Sequence, residues 1–248
     1  MRKIVRRTLP RRVLGYLNRK QAQVNHGEDV QRTWQNARQT RAVGKVAETL
    51  REMSGLRERC MFCEDSRGTD IEHFWPKAPY KEKAFVWENM LWACAGCNRM
   101  KGNRFGLDEK QAPLLIDPTS EDPWDFLYFD PHTGNITARI DPRTGAANRK
   151  GQHTTEPTIL PLNIEPITDG RQRVYRRLRR AVTRFLDHTS TGGVRPETIS
   201  ELLDEIRDNT DYGLANWFFL KDGSDAAPFS ELCSRFPHVW NEVVQLVA

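Results

Sequence analysis

At 248 residues and 38% hydrophobic content, the chain is long enough to bury a core of its own, as one large domain or two small ones, which excludes a disordered tail. No run approaches the roughly 18 apolar residues of a membrane-crossing helix, and the basic N-terminus lacks the apolar stretch of a signal peptide, so the expected compartment is the cytoplasm, with no membrane partner. The net charge of +5 is unevenly spread: residues 1–59 carry 15 Lys and Arg against 5 Asp and Glu, a net of +10, which leaves the remainder at −5.

In chain order, the first block, "MRKIVRRTLPRRVLGYLNRK", has eight cations and no acid. It reads as a footprint for a phosphate backbone, or else as a solvated arm or a face for an acidic protein. Residues 12–57 read mainly as helix, from Trp34 and the spacing of Val43, Val46, Ala47 and Leu50, with Gly55 as the stop. Residues 58–110 hold four cysteines, short strands and one short helix. From 111 the turns "DPTSEDP", "DPHTGN" and "DPRTG" punctuate the chain, with "FLYFD" and "NITARI" as candidate strands. Beyond Pro166, helices are expected at 167–188, 196–208 and 228–246. The first contains "RQRVYRRLRRAVTR", with seven Arg, no acid, and Val174, Leu178, Val182 and Phe185 at helical spacing, which predicts a cationic outer face. Such a face either meets solvent alone or takes a polyanion. In the last helix, Phe229, Leu232, Phe236, Trp240 and Val243 read as core before docking face. The organisation is therefore 1–57 as a basic arm with helices, 58–110 as the core carrying the chemistry, and 111–248 as a turn-rich and then helical region.

Five cysteines are too few for a disulfide scaffold, and four of them form two pairs. "CMFC" (Cys60, Cys63) and "CAGC" (Cys94, Cys97) stand 30 residues apart. Each short loop places two thiolates on one edge of a tetrahedron, so the four suit a closed, structural Zn2+ site. Cys233 is the spare, expected as a small buried hydrophobe. His26, His132, His153, His188 and His238 form no ligand-spaced cluster and read as structural.

Between the knuckles lies "DIEHFWPK" (residues 70–77), and the second knuckle runs on into Asn98 and Lys101. A purely structural zinc ribbon has no need of a carboxylate, an imidazole, an amide and an ammonium around one point. Together they offer ligands for a hard cation, a base for water and a cation for phosphate. In a regular strand Glu72 and His73 point to opposite faces, so a shared phosphate requires a bulge or strand end there, with Pro76 ending the pairing. Asp70 is then an alternative ligand or, by preference, the group that orients an imidazole.

At these residues the chain resembles the HNH, or ββα-metal, endonucleases, in which a β-hairpin and a following helix clasp one catalytic metal. The resemblance implies an α+β chain whose zinc-stapled ββα-metal core is embedded in a mostly α-helical protein. It implies Glu72 as metal ligand and His73 as general base in "EH", and Asn89 in "WENMLW" as the residue that orients hairpin and base. In "CAGCNRMK" it implies Asn98 as second ligand and Lys101 as a phosphate contact, with Arg99 and Arg104 as DNA-backbone contacts. Asn at position 98, where His is commoner, suits Mg2+ or Mn2+.

"MRKIVRRTLP", "CMFCE", "DIEHFWPK", "WENMLWACAGCNRMKG" and the later "LNI" before a basic helix narrow the resemblance to the HNH subunits of Septu-type bacterial antiviral systems, some of them retron-associated. That implies a metal-dependent DNA endonuclease working with an ABC-type ATPase and held back until infection. No G-x-x-x-x-G-K-[ST] occurs here, so ATP chemistry would belong to that partner. The alternatives are a stand-alone restriction-type or homing-type HNH nuclease, and a catalytically inactive, zinc-stabilised DNA-binding or assembly subunit.

Overall fold

The computed structural model describes residues 1–248 apart from the side chain of Thr191. It is an α+β chain in which helix predominates and two small antiparallel sheets supply the strands. Two compact units are distinguished. The first comprises Met1, Lys3–Leu127 and Ala138–Leu162, and the second Arg2, Tyr128–Thr137 and Asn163–Ala248.

The first unit opens with an extended segment and then three helices: α1 (Arg11–Asn25), α2 (Val30–Ala37) and α3 (Arg41–Met53). Two of their starts are written in side chains. Asp29 accepts from the Arg32 amide (2.7 Å) and Thr40 from the Val43 amide (3.4 Å), each satisfying an amide that the helix leaves free. Helix α3 buries Val43, Val46, Leu50 and Met53 at the expected period, and the left-handed Gly55 (φ 82°) follows its end. The stretch read as mainly helical is thus three helices broken by capped turns.

Strand β1 (Asp70–His73) pairs antiparallel with β2 (Met90–Ala93) in a regular register, Asp70 opposite Ala93, Ile71 opposite Trp92, Glu72 opposite Leu91 and His73 opposite Met90. The expected strand end is present, since β1 stops at His73, but there is no bulge. Helix α4 (Ala95–Lys101) follows β2 after a single residue, Cys94, whose sulfur accepts from the Cys97 amide at 3.4 Å and caps it. The candidate strands "FLYFD" and "NITARI" are β3 (Leu127–Phe129) and β4 (Ile136–Ala138), which form the second sheet. Helix α5 (Arg149–Thr155), capped by Asn148, was not expected. Its Gly151 lies so close to the chain that a Cβ there would meet the Phe126 carbonyl oxygen at 2.3 Å, so no larger residue fits.

The second unit is built from α6 (Glu165–Gly192), α7 (Pro196–Asp208), α8 (Leu214–Leu220), α9 (Phe229–Arg235) and α10 (Pro237–Val247). Val174, Leu178, Val182 and Phe185 are buried on α6 as their spacing predicts. Aromatic rings fill the interior: Phe218 stacks on Tyr175 (5.2 Å between ring centroids) and on Phe229 (4.5 Å). The single helix expected at 228–246 is two, because Pro237 forces Phe236 out of the helical region (φ −134°, ψ 61°). Phe229, Leu232 and Val243 are core, whereas Phe236 and Trp240 are half-buried and Cys233 is half-buried rather than fully enclosed. Among the described residues no helix is long and apolar enough to cross a membrane.

Candidate metal centre and cleft

The sulfurs of Cys60, Cys63, Cys94 and Cys97 all lie within 4.8 Å of one another and all four residues are buried. The Cys63 and Cys94 sulfurs are 3.9 Å apart. A tetrahedral zinc with Zn–S near about 2.3 Å sets sulfurs roughly 3.8 Å apart, so this quartet fits Zn2+ with no open position left over. Hydrogen bonding from Cys60 lowers the Cys63 thiol to about 7, and Cys60, Cys63 and Cys97 together hold Cys94 well below the usual thiol range. The backbone brings the two knuckles together, since the Met61 amide donates to the Trp92 carbonyl (2.8 Å) and the Thr69 amide to that of Ala93 (2.9 Å). The cluster therefore closes the chain on both sides of the β1–β2 hairpin.

Asn89 secures the hairpin's inner turn. Its Oδ1 accepts from the Trp75 amide (2.7 Å), while its Nδ2 donates to the carbonyls of Trp75 (3.0 Å) and Lys83 (2.9 Å). Ala84, next to Lys83, has its carbonyl oxygen 2.9 Å from His73 Nε2. A carbonyl only accepts, so Nε2 carries the proton and Nδ1 keeps the lone pair. Asn89 thus fixes the segment that fixes the imidazole. His73 is 3% exposed, and burial lowers it to about 3, which leaves it neutral at pH 7. Trp34 of α2 meets its ring edge-on at 4.4 Å between centroids.

Glu72 and Lys101 form a buried ion pair. Lys101 Nζ donates to Glu72 Oε1 and to the His73 carbonyl, both at 2.7 Å, and its side chain has no exposure. Burial pushes the Glu72 carboxyl up and the Lys101 ammonium down, while each charge pulls the other back. Lys101 was expected at a phosphate; here α4 turns it inward as the counter-ion of Glu72.

A cleft of about 370 Å³ runs beside the hairpin, and Glu72, Asn98, Asp70 and Lys77 are among the residues lining it, together with Trp34 and Arg38 of α2. It brings together the two expected ligands, Glu72 and Asn98. His73 is not part of the lining, and its ring lies against Trp34 and the Ala84 carbonyl instead. Asp70 meets Arg38 (3.4 Å) and not the imidazole, so the orienting role falls to Ala84. Arg99 and Arg104 are exposed on and just beyond α4, outside the cleft lining. Lys77 was not singled out from the sequence, although it closes the "DIEHFWPK" motif. It is a half-exposed cation in the cleft, and its charge acts on both Glu72 and His73.

Two further groups grip the hairpin from the N-terminal segment. Arg6 donates to the carbonyls of Trp87 (2.9 Å), Met90 (3.1 Å) and Glu88 (3.1 Å) and to Thr119 Oγ1 (2.6 Å), with its guanidinium 4.9 Å from the Trp87 ring centroid. Gln21 of α1 accepts from the Phe85 amide (2.8 Å) and donates to the Lys81 carbonyl (3.1 Å). Arg7 pairs with Glu52 at 2.9 Å on the surface. The first basic block is therefore partly a structural clamp, and Arg6 is not free to meet a phosphate.

No family model matches the chain. The Septu protein PtuB of Bacillus thuringiensis is 37% identical to it over 79 residues, which is 30% of this chain and 28% of that protein.

Proposed function

We propose that the chain is a metal-dependent HNH endonuclease that hydrolyses DNA phosphodiester bonds as the effector of a bacterial anti-phage defence complex. The observation that carries this reading is the convergence of Glu72 and Asn98 on one cleft, on a hairpin and helix closed by the cysteine quartet. The likeness to the Septu protein PtuB supports the defence role, and an ABC-type ATPase is the partner that the resemblance implies.

Glu72 and Asn98 would hold Mg2+ or Mn2+, a hard cation suited to oxygen donors, whose chemistry there is to stabilise charge on the leaving oxygen. With Oε1 of Glu72 bonded to Lys101, the second carboxylate oxygen is the one to reach a cation. His73, neutral and with Nδ1 unprotonated, takes the proton from the attacking water, a role that an imidazole lowered to about 3 by burial fills only once that burial is relieved. Lys77, in place of the buried Lys101, holds the phosphate. His73 is buried against Trp34 and lies outside the cleft lining, so on this reading the imidazole is uncovered, by movement of Trp34, before it meets water.

A second reading, an inactive DNA-binding or assembly subunit, draws on the Lys101–Glu72 ion pair, which neutralises the principal ligand. Nicking of supercoiled plasmid with Mg2+ or Mn2+, with and without the partner ATPase, separates the two. The nuclease reading expects metal-dependent nicking that His73→Ala and Glu72→Gln abolish and Trp34→Ala raises. DNA binding without cleavage by any of these proteins, partner included, would establish the second reading instead.

A further inference from the structure

The arginines of α6 take no part in the metal cleft, and they are arranged. One face of this helix is buried through Val174, Leu178, Val182 and Phe185. Arg173, Arg176, Arg177, Arg180 and Arg184 are exposed. Their spacing of i, i+3, i+4, i+7 and i+11 places all five within a sector of about 100°, over a length of about 16 Å. Arg184 pairs with Glu205 of α7 (2.7 Å), while Arg173, Arg176, Arg177 and Arg180 meet no partner among the described residues.

Like charges three and four residues apart destabilise a helix, so the stripe stands against its own repulsion. Every cation from 171 to 184 is Arg and none is Lys. A helix that needs only solubility has no reason for that choice, whereas the guanidinium fork matches phosphate oxygens in pairs. Protein interfaces are centred on apolar and aromatic anchors, and no large hydrophobic side chain of α6 between Arg173 and Arg184 is exposed. A nucleic-acid duplex presents one negative charge per roughly 1.7 Å of axis, so a stripe of this length meets anions along its whole extent, in any sequence register.

We propose that the α6 arginine stripe of the second unit binds the phosphodiester backbone of nucleic acid without regard to sequence. The site does not depend on the metal cleft being catalytic.

The test is fluorescence anisotropy of a labelled 30-base-pair duplex of arbitrary sequence with the full chain, without added divalent cation, titrated from 50 to 200 mM salt. It compares the wild type with the quadruple substitution Arg173→Gln, Arg176→Gln, Arg177→Gln and Arg180→Gln, which keeps good helix formers. Losing four phosphate contacts lowers the slope of log affinity against log salt by about 3 to 4, so the wild type weakens about 10²-fold more than the variant across that range. The corresponding four-lysine variant, with its charge kept, retains most of the slope, which shows that lost charge and not a lost fold is being read. Circular dichroism checks the helix in both. Equal slopes for the wild type and the glutamine variant overturn the proposal, as does a wild type that binds no duplex. Competition by poly-glutamate as strong as that by unlabelled DNA of equal charge also overturns it, in favour of an acidic protein partner. Nicking is read separately, so failure of the nuclease reading leaves this measurement intact.

Discussion

Arg6 and Arg7 are adjacent, carry the same side chain and are expected to differ sharply when removed. Arg6→Ala strips hydrogen bonds from the Trp87, Met90 and Glu88 carbonyls and from Thr119. The Glu88 contact is exposed, so water replaces it at little cost. The other three are part-buried, and leaving such a group without its charged donor costs about 1–3 kcal/mol each, with the sum reduced by relaxation and water entry. A loss of about 3–5 kcal/mol follows, a large share of the stability of an ordinary domain. Burial also lowers the Arg6 pKa, opposed by Asp117 and Glu88, so the arginine is held by its contacts against a desolvation penalty. Arg7→Ala breaks only the exposed pair with Glu52, which at that exposure contributes about 0–1 kcal/mol. Urea unfolding of both variants, with m-values compared to confirm a common unfolded state, reads the difference. If Arg6→Ala costs no more than Arg7→Ala, the clamp does not support the hairpin.

Lys101→Met leaves the Glu72 carboxylate buried without its counter-ion and should cost about 3–5 kcal/mol in the same assay, whereas Lys101→Met combined with Glu72→Leu should recover most of it. A single substitution that is neutral would mean the pair is not formed. Chelation of zinc, or Cys94→Ser, is expected to remove hydrogen-exchange protection from Asp70–His73 while the α6 amides stay protected; retained β1 protection would show that the quartet is not what closes the hairpin. His153 accepts from the Gly106 amide (3.2 Å), and burial lowers its pKa below the ordinary value near 6.5. The unfolded chain therefore binds the proton first, so the contribution is complete above about pH 6.5 and is lost as pH falls toward the lowered folded value. A nuclear magnetic resonance titration in which His153 protonates at or above the ordinary value would contradict this.

What could be read in advance was whatever depends on short spacing. Two C-x-x-C pairs and the break in pairing expected at Glu72 and His73 are local patterns, and the cysteine quartet and the end of β1 appear where those patterns place them. The side chains that make the site closed were not legible. An arginine in an acid-free block looks like a phosphate contact whether or not a turn from residues 87–90 folds over it, and Arg6 is decided by that turn. Lys101 is similar: in a C-x-x-C-N-x-x-K run only the rotation of α4 decides whether it faces solvent or Glu72. Helix α8 escaped because "LANWFFL" is apolar at every position but Asn216 and too short to show a period, and α5 because "RKGQHTT" has no apolar stripe at all.

The grip on the hairpin also has a direction in time. Arg6, Gln21, Asn89, the four cysteines and Lys101 all lie within residues 1–101, and of the contacts described around the hairpin only Thr119 comes later. Chains emerge from the ribosome N-terminus first and fold as segments become available. The hairpin can thus bring its four cysteines together and form most of its hydrogen bonds while the arginine stripe of α6 is still unsynthesised. A nascent chain with residues 1–120 clear of the ribosome would already hold the complete cysteine quartet, and the order of synthesis places assembly of the cleft ahead of the emergence of the cationic helix.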